Sequence, residues 1–170
     1  HERCGHAAEV LESAHVARDP VGPSLRVRRL RVRQVRRAEH RDEDTGLHIQ
    51  RISYYSRELA QRLGMDEVFC DEIFYASPLH DIGKIAVPGK ILNRPDPLDP
   101  DEWDIMKSHP DEGCKICLPL MKNLGPALEV IRHHHEKLDG SGYPDGLKGD
   151  EISVAARIMG AVDIYDALIT

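Results

Sequence analysis

From residue 45 to residue 170 the chain reads as one helix after another, with no strand-like alternation of any length and no internal repeat. In the segment 45–64 the apolar positions Leu47, Ile52, Tyr55, Leu59 and Leu63 recur at helical spacing, and Gly64 supplies a stop. Asp44 and His48 are four apart, so both face one side if this helix begins by Asp44. A second helix is expected over 66–75, leading into the run PLHDIGKIAV, where Pro78 predicts a kink or a fresh helix start before His80. The stretch NRPDPL is a proline-broken loop, and after it Asp99, Pro100 and Glu102 spell a helix N-terminus with a cap, a first-position proline and a capping box. That helix carries Trp103, Ile105 and Met106 and is expected to deliver His109 near its end. Further helices are expected over 113–123 and from Pro126 through 137, followed by a loop set by Gly140, Gly142, Pro144, Gly146 and Gly149. A last helix from Ser153 onward places Asp163 and Asp166 within one turn, and the whole pattern predicts an all-α helical bundle.

At 170 residues the chain has the size of one domain, able to bury roughly 70% of its unfolded surface without disulfides. No apolar run approaches the roughly 20 residues needed to cross a bilayer, and no secretory signal is visible. Four scattered cysteines against ten histidines point to a reducing compartment, with the cytoplasm as default. Cys114 and Cys117 form a lone CxxC whose spacing also suits two small apolar residues on one helix face, and packing is the expected role. The formal charge of −6 hides an asymmetry, because residues 26–37 hold seven arginines and no acid. The remaining acidic body is a poor general binder of nucleic acid, so no DNA partner is expected. Around the arginines, Leu25, Val27, Leu30, Val32 and Val35 step by two and three alternately, which fits neither the strand nor the helix period. Residues 1–41 are therefore expected to be a basic linker or the end of an upstream domain. A start at His1 and a stop at Thr170 inside a helical pattern suggest a fragment of a longer protein.

Chemistry gathers in two motifs, HDIGK at 80–84 and HHEKLDGSGYP at 134–144. Both set imidazoles and carboxylates beside tightly turning residues, the composition of a metal site that also grips phosphate. A lone helical histidine is ordinarily a core or surface residue, but His48, His80, Asp81 and Asp163 are four spaced candidates flanked by small residues or helix breaks. Adjacent His80 and Asp81 on one helix would point about 100° apart, so the imidazole can bind one metal while the carboxylate bridges to a second. Three consecutive histidines at 133–135 spread over about 300°, so His133 is expected to face away from the centre. Glu136 and Asp139 are acceptors able to orient the imidazoles beside them, with plain surface charge as the alternative for Glu136. Lys84 would share a helix face with His80 and Asp81 if the helix continued across Gly83, and a cation there can hold a phosphate oxygen.

The order H…HD…D, with HDIGK followed by HHEKLDGSGYP, resembles the HD phosphohydrolase superfamily and, within it, the HD-GYP branch. The similarity runs from about residue 42 to residue 170 and includes PLHDIGKIAVP, the proline loop, the tryptophan helix with His109 and AARIMGAVDIYDAL. The resemblance implies a helical bundle of the HD-domain type with a di- or tri-nuclear metal centre in its core, iron or manganese preferred. It implies His48, His80, Asp81, His109, His134, His135 and Asp163 as ligands, with Asp81 bridging. Asp44 stands where branch members with a third metal carry a glutamate, which leaves the choice between two and three ions open. Lys84 is implied as the phosphate-binding cation, and Gly142, Tyr143 and Pro144 as a loop bordering the active site.

The implied activity is metal-dependent hydrolysis of cyclic di-GMP to linear pGpG, or on to GMP, in bacterial signalling. A water activated between two metals about 3.5 to 4 Å apart would open one phosphodiester in line, with Lys84 steadying the charged oxygens. Two alternatives stay open: a catalytically weak regulatory module that binds a signalling partner such as a diguanylate cyclase domain, and an HD phosphohydrolase acting on another nucleotide phosphoester. A homodimer is compatible with either. Branch members continue past the DAL segment with a basic stretch that holds substrate phosphates. The 170-residue chain is accordingly expected to bind metal but to turn over slowly.

Overall fold

The computed structural model describes residues 46–119 and 125–170. Asp44, the basic stretch 26–37, the segment 1–41 and the stretch 120–124 lie outside the described residues. Helix α1 spans Gly46–Arg62, and of the apolar set that spacing picks out Ile52 and Leu59 are buried and Tyr55 packs against the core, while the two ends of the set are exposed. Leu47 and Leu63 are 66% and 41% exposed, whereas His48, Ile52, Ser56, Leu59 and Ala60 are buried. From His48 through Ile52 and Ser56 to the adjacent pair Leu59 and Ala60 the steps are three or four residues, so these side chains form one helical stripe. The stripe carries a histidine and a serine, which a search by hydrophobicity passes over. Gly64 at φ +77° closes the helix, its N–H donating to the Gln61 carbonyl at 3.0 Å.

Helix α2, Glu67–Ala76, starts where expected, with the Asp66 carboxylate accepting from the Phe69 N–H at 2.8 Å. The helix does not continue through HDIGK. Pro78 sits in a 3₁₀ turn, Ser77–Leu79, and a second 3₁₀ turn covers Ile82–Ala86. Asp81 lies between them at φ −103°, ψ 9°, outside helical geometry. The condition for His80, Asp81 and Lys84 to share a regular helix face, a helix continuing across Gly83, is thus not met. A single turn α3, Gly89–Leu92, leads to α4, Pro100–Met106, which has the expected capping box between Asp99 and Glu102 at 2.9 and 3.1 Å.

Helix α4 ends before His109, which instead opens α5, His109–Cys117. Pro110 is tolerated there because the first turn of a helix needs no N–H partner. Gly113 therefore lies inside α5 rather than starting a helix. Helix α6, Gly125–His133, stops four residues short of the expectation, leaving His134 and His135 in the turn that enters the glycine-rich loop. A 3₁₀ turn, Gly149–Glu151, precedes α7, Val154–Ile169, whose Ser153 hydroxyl caps the Ala156 N–H. The described residues contain no strand, and one isolated bridge pairs Asp139 with Lys148. The chain is all-α, as its sequence predicts.

Helix α1 packs on α2 and α7, α6 packs on α2, α5 and α7, and α5 lies along the second HDIGK turn. Ile52, Leu59, Ile73, Val130, Met159 and Val162 fill the space between them, each at 1% exposure or less. Full burial of such a side chain contributes about 1.5–3 kcal/mol. Val87, Ile91 and Met106 form a smaller cluster with Trp103 beneath the proline loop. Two glycines set how closely the donor-bearing segments approach. A Cβ on Gly83 would stand 1.8 Å from the His109 carbonyl oxygen, and one on Gly160 would stand 2.7 Å from that of His134. Any larger residue at either place would push a histidine-bearing turn off its support.

Candidate metal centre

Two groups of donors converge in the middle of the bundle. Asp81, His109, His134 and His135 offer ligand atoms within 4.8 Å of one another, and so do His48, His80 and Asp163. Asp81 lies between the groups. Its Oδ1 is 3.1 Å from His109 Nε2 and 3.6 Å from His134 Nε2, while its Oδ2 is 3.0 Å from His80 Nε2. One carboxylate thus turns an oxygen to each group, and His80 Nε2 also lies 3.8 Å from Asp163 Oδ1.

The far side of each ring fixes which nitrogen faces inward. Nδ1 of His80 meets the Ser77 carbonyl at 2.8 Å, Nδ1 of His109 meets that of Met106 at 2.9 Å, and Nδ1 of His134 meets those of Val130 and Ile131 at 3.0 Å. A carbonyl only accepts, so these Nδ1 atoms donate and each Nε2 is left as the inward donor atom. His48 is held differently, with Nδ1 2.7 Å from Oδ2 of the buried Asp166. Arg51 donates to both oxygens of that carboxylate, at 2.6 and 2.8 Å.

Charge in the cluster is unevenly shared. Burial opposes a charge on His80, yet the carboxylates of Asp81 and Asp163 and the Ser77 carbonyl lift its pKa to about 9. Burial likewise disfavours the Asp81 anion, but His80, His109 and His134 hold its carboxyl well below the usual range. Burial lowers His134, and burial with the neighbouring His134 and His109 lowers His135 much further, so both rings are neutral near pH 7. Neutral His134 and His135 beside an ionised Asp81 are in the protonation state a divalent metal needs, whereas His80 keeps its proton near pH 7 and would release it on binding one. Among the described residues, His80 Nε2 and Asp81 Oδ1 are buried and complete no hydrogen bond, though they stand beside potential partners. Buried polar atoms left so are costly unless another species engages them. This donor set fits divalent metal ions.

Lys84 approaches the centre from the second HDIGK turn and donates to Asp81 Oδ2 at 2.8 Å. Beyond it, the Tyr143 ring stacks on His135 at 4.7 Å and 30°, with Trp103 edge-on at 6.1 Å. Gly142 and Pro144 flank that ring, half-buried, the Tyr143–Pro144 bond being cis. Glu136 and Asp139 do not orient the histidines. Glu136 accepts from the N–H groups of Asp145, Gly146 and Leu147 at 2.7–3.0 Å, and Asp139 accepts from Ser141 N and Oγ at 2.9 and 2.7 Å. They fold the loop, and Arg132 anchors it through two 2.8 Å bonds to Asp145.

The structure thus brings together His48, His80, Asp81, His109, His134, His135 and Asp163 and sets Lys84 and Tyr143 at their edge, while Asp44 falls outside the described residues. His133 turns away, as its position in the triple run predicts, to Glu129 at 3.0 Å and Asp145 at 2.9 Å. Cys114 and Cys117 belong to neither donor group, and burial raises both thiols. Sequence reasoning assigned no role to Asp166 or Arg51. The only signal for Asp166 was its place three residues after Asp163, which puts both carboxylates on one side of α7.

A family model described as "HD domain" matches residues 31–170. The chain is 45% identical over 131 residues to the 3'3'-cGAMP-specific phosphodiesterase 2 of Vibrio cholerae, an alignment covering 76% of this chain and 25% of that protein. It is 43% identical over 137 residues to a cyclic di-GMP phosphodiesterase of Thermotoga maritima, covering 78% of the chain and 36% of the relative. Against the cyclic di-GMP phosphodiesterase response regulator RpfG of Xanthomonas campestris pv. campestris it is 41% identical over 140 residues, covering 81% and 37%. The chain therefore spans about a quarter to somewhat over a third of the length of these relatives.

Proposed function

The chain belongs to the HD domain family, and from that premise we propose that it is a metal-dependent phosphodiesterase acting on cyclic dinucleotides, cyclic di-GMP foremost, to give linear pGpG. The observation that carries this reading is the position of Asp81, with one oxygen towards each of two donor groups. In it, Asp81, His109, His134 and His135 would hold one ion and His48, His80 and Asp163 a second, with Asp81 placed between the two groups. Iron, manganese or zinc suits this mixture of imidazole and carboxylate donors with no thiolate among them, and the resemblance to the HD-GYP branch favours iron or manganese. When bound, such ions polarise a phosphoryl group and lower the pKa of water towards about 7.

The chain's own residues then have separable tasks. Asp81 fixes the spacing between the groups and stays ionised because three imidazoles surround it. Lys84, whose side chain is 14% exposed, reaches the centre from the solvent side and can turn from Asp81 to a phosphate oxygen. The Tyr143 ring, backed by His135 and Trp103, offers an aromatic wall against which a purine base can stack. The outer rim of the same loop, where Leu138 is 47% exposed, is the surface proposed for a signalling partner such as a diguanylate cyclase domain. No described helix is long and apolar enough to cross a membrane. The cytoplasm is the proposed setting, one in which the described thiols Cys70, Cys114 and Cys117 stay unbridged.

Relatives are named for cyclic di-GMP and for 3'3'-cGAMP, so the test offers both substrates with Mn²⁺ or Fe²⁺ and follows linear product by chromatography. Cleavage of cyclic di-GMP by the parent and none by Asp81→Ala is expected. Equal cleavage by the two proteins would remove the mechanism, and exclusive cleavage of 3'3'-cGAMP would correct the substrate.

A further inference from the structure

One ring, His48, is supported by different means from three others in the two donor groups. His80, His109 and His134 each direct Nδ1 to a main-chain carbonyl, which comes with the turn that carries the ring. His48 instead directs Nδ1 to a side chain, Oδ2 of Asp166, at 2.7 Å. Asp166 comes from a helix that lies 118 residues further along the chain, and its side chain is 1% exposed. A carboxylate so deeply buried is costly unless it is paired. Arg51 supplies the pair, with Nε 2.6 Å from Oδ1 and Nη2 2.8 Å from Oδ2.

Helical spacing explains how the two supports reach the same place. His48 and Arg51 are three apart on α1, and Asp163 and Asp166 are three apart on α7. Each helix therefore contributes one inward donor and one supporting residue a turn further on, and the supports clasp each other where the helices pack. A carboxylate behind an imidazole fixes the tautomer and raises the basicity of the opposite nitrogen. Arg51 occupies both oxygens of that carboxylate, which keeps Asp166 behind the ring and out of the donor group itself.

We infer that Asp166, clamped by Arg51, is a positioning residue that sets the metal affinity of the His48–His80–Asp163 group alone, leaving the Asp81–His109–His134–His135 group to its main-chain supports. The inference rests on the reading of the two groups as metal sites. It makes the sites separable: a change 2.7 Å behind His48 weakens one ion and spares the other.

The test is equilibrium dialysis of the chain against Mn²⁺, with bound metal counted by mass spectrometry and the electron paramagnetic resonance spectrum recorded at each point. Asp166→Asn, close to isosteric, is expected to carry one ion fewer than the parent at limiting Mn²⁺. The lost ion's Kd should rise about 10- to 100-fold while the remaining affinity is unchanged. The signal of coupled Mn²⁺ should give way to that of an isolated ion, a change that general loosening of the fold would not produce. If Asp166→Asn fails to fold, Arg51→Gln reads the same site, because it removes the guanidinium that clamps both oxygens of Asp166. Full occupancy with parental affinities in the folded variants, or a parallel loss of every ion, would overturn the inference. A parent chain that takes up no Mn²⁺ would overturn the reading of the groups as metal sites, and that failure shows in the parent and not in the variants.

Discussion

Asp81 sits in a break between two 3₁₀ turns, and its two oxygens point to different donor groups. Asp81→Asn keeps the shape and removes the charge. Loss of residues behind a ligand costs 10- to 100-fold, so replacing the shared carboxylate should lower turnover by at least about 100-fold and reduce bound metal. Undiminished metal content in that variant would contradict a shared ligand. Lys84→Met should behave otherwise, cutting kcat by about 100-fold with metal content kept, since the cation is assigned to phosphate oxygens. Loss of metal there would reassign Lys84 to holding Asp81. His48, His80, Asp81 and Asp163 were legible as spaced candidates beside small residues or helix breaks, whereas the full ligand set with His109, His134 and His135 came from the resemblance to the HD-GYP branch. Asp166 was not legible, because an aspartate three residues after a candidate is ordinary on any exposed helix. Its meaning depends on Arg51 and His48, more than 110 residues away.

Whole elements are placed by features of unequal visibility in the sequence. The Asp99 cap and the Pro78 break were readable, because each is a local rule of backbone hydrogen bonding. The inward face of α1 was readable in part, through Ile52, Tyr55 and Leu59, but not at Ser53 and Ser56, because polar residues bury there only in company. Leu47→Ala should therefore change stability by no more than about 0.5 kcal/mol, whereas Ile52→Ala should cost about 2–5 kcal/mol in denaturant unfolding. Comparable costs for the two would contradict the assigned face. Helix α5 depends on Gly83 in the same way, and Gly83→Ala should cost about 1–3 kcal/mol by driving a methyl into the His109 carbonyl. At the loop, Arg132 and His133 hold the Asp145 carboxyl at about 2, below its ordinary 3.8, although burial acts the other way. Its contribution is thus present above about pH 4 and is lost as pH falls towards 2. Asp145→Asn should flatten the stability profile in that window, and an unchanged acid limb would show that the anchor is idle.

Across the molecule, the donors come from α1, both HDIGK turns, the start of α5, the turn after α6 and α7, so bound metal would tie nearly every packed element to one point. Ligand at 100 times its Kd stabilises a fold by about 2.7 kcal/mol per site, and chelation should lower the melting temperature by several degrees. The all-α architecture was legible as successive helical periods, but the meeting of six segments was not, since no local pattern states which turns converge. The measurement that bears most directly on this account is incubation of the Mn²⁺-loaded chain with cyclic di-GMP in ¹⁸O-labelled water. Hydrolysis adds one water oxygen to the phosphorus whose ring bond breaks, so linear pGpG should carry a single label on its terminal phosphate, and even slow turnover is visible. Cyclic di-GMP recovered intact and unlabelled, or product that forms equally after chelation, would contradict the account.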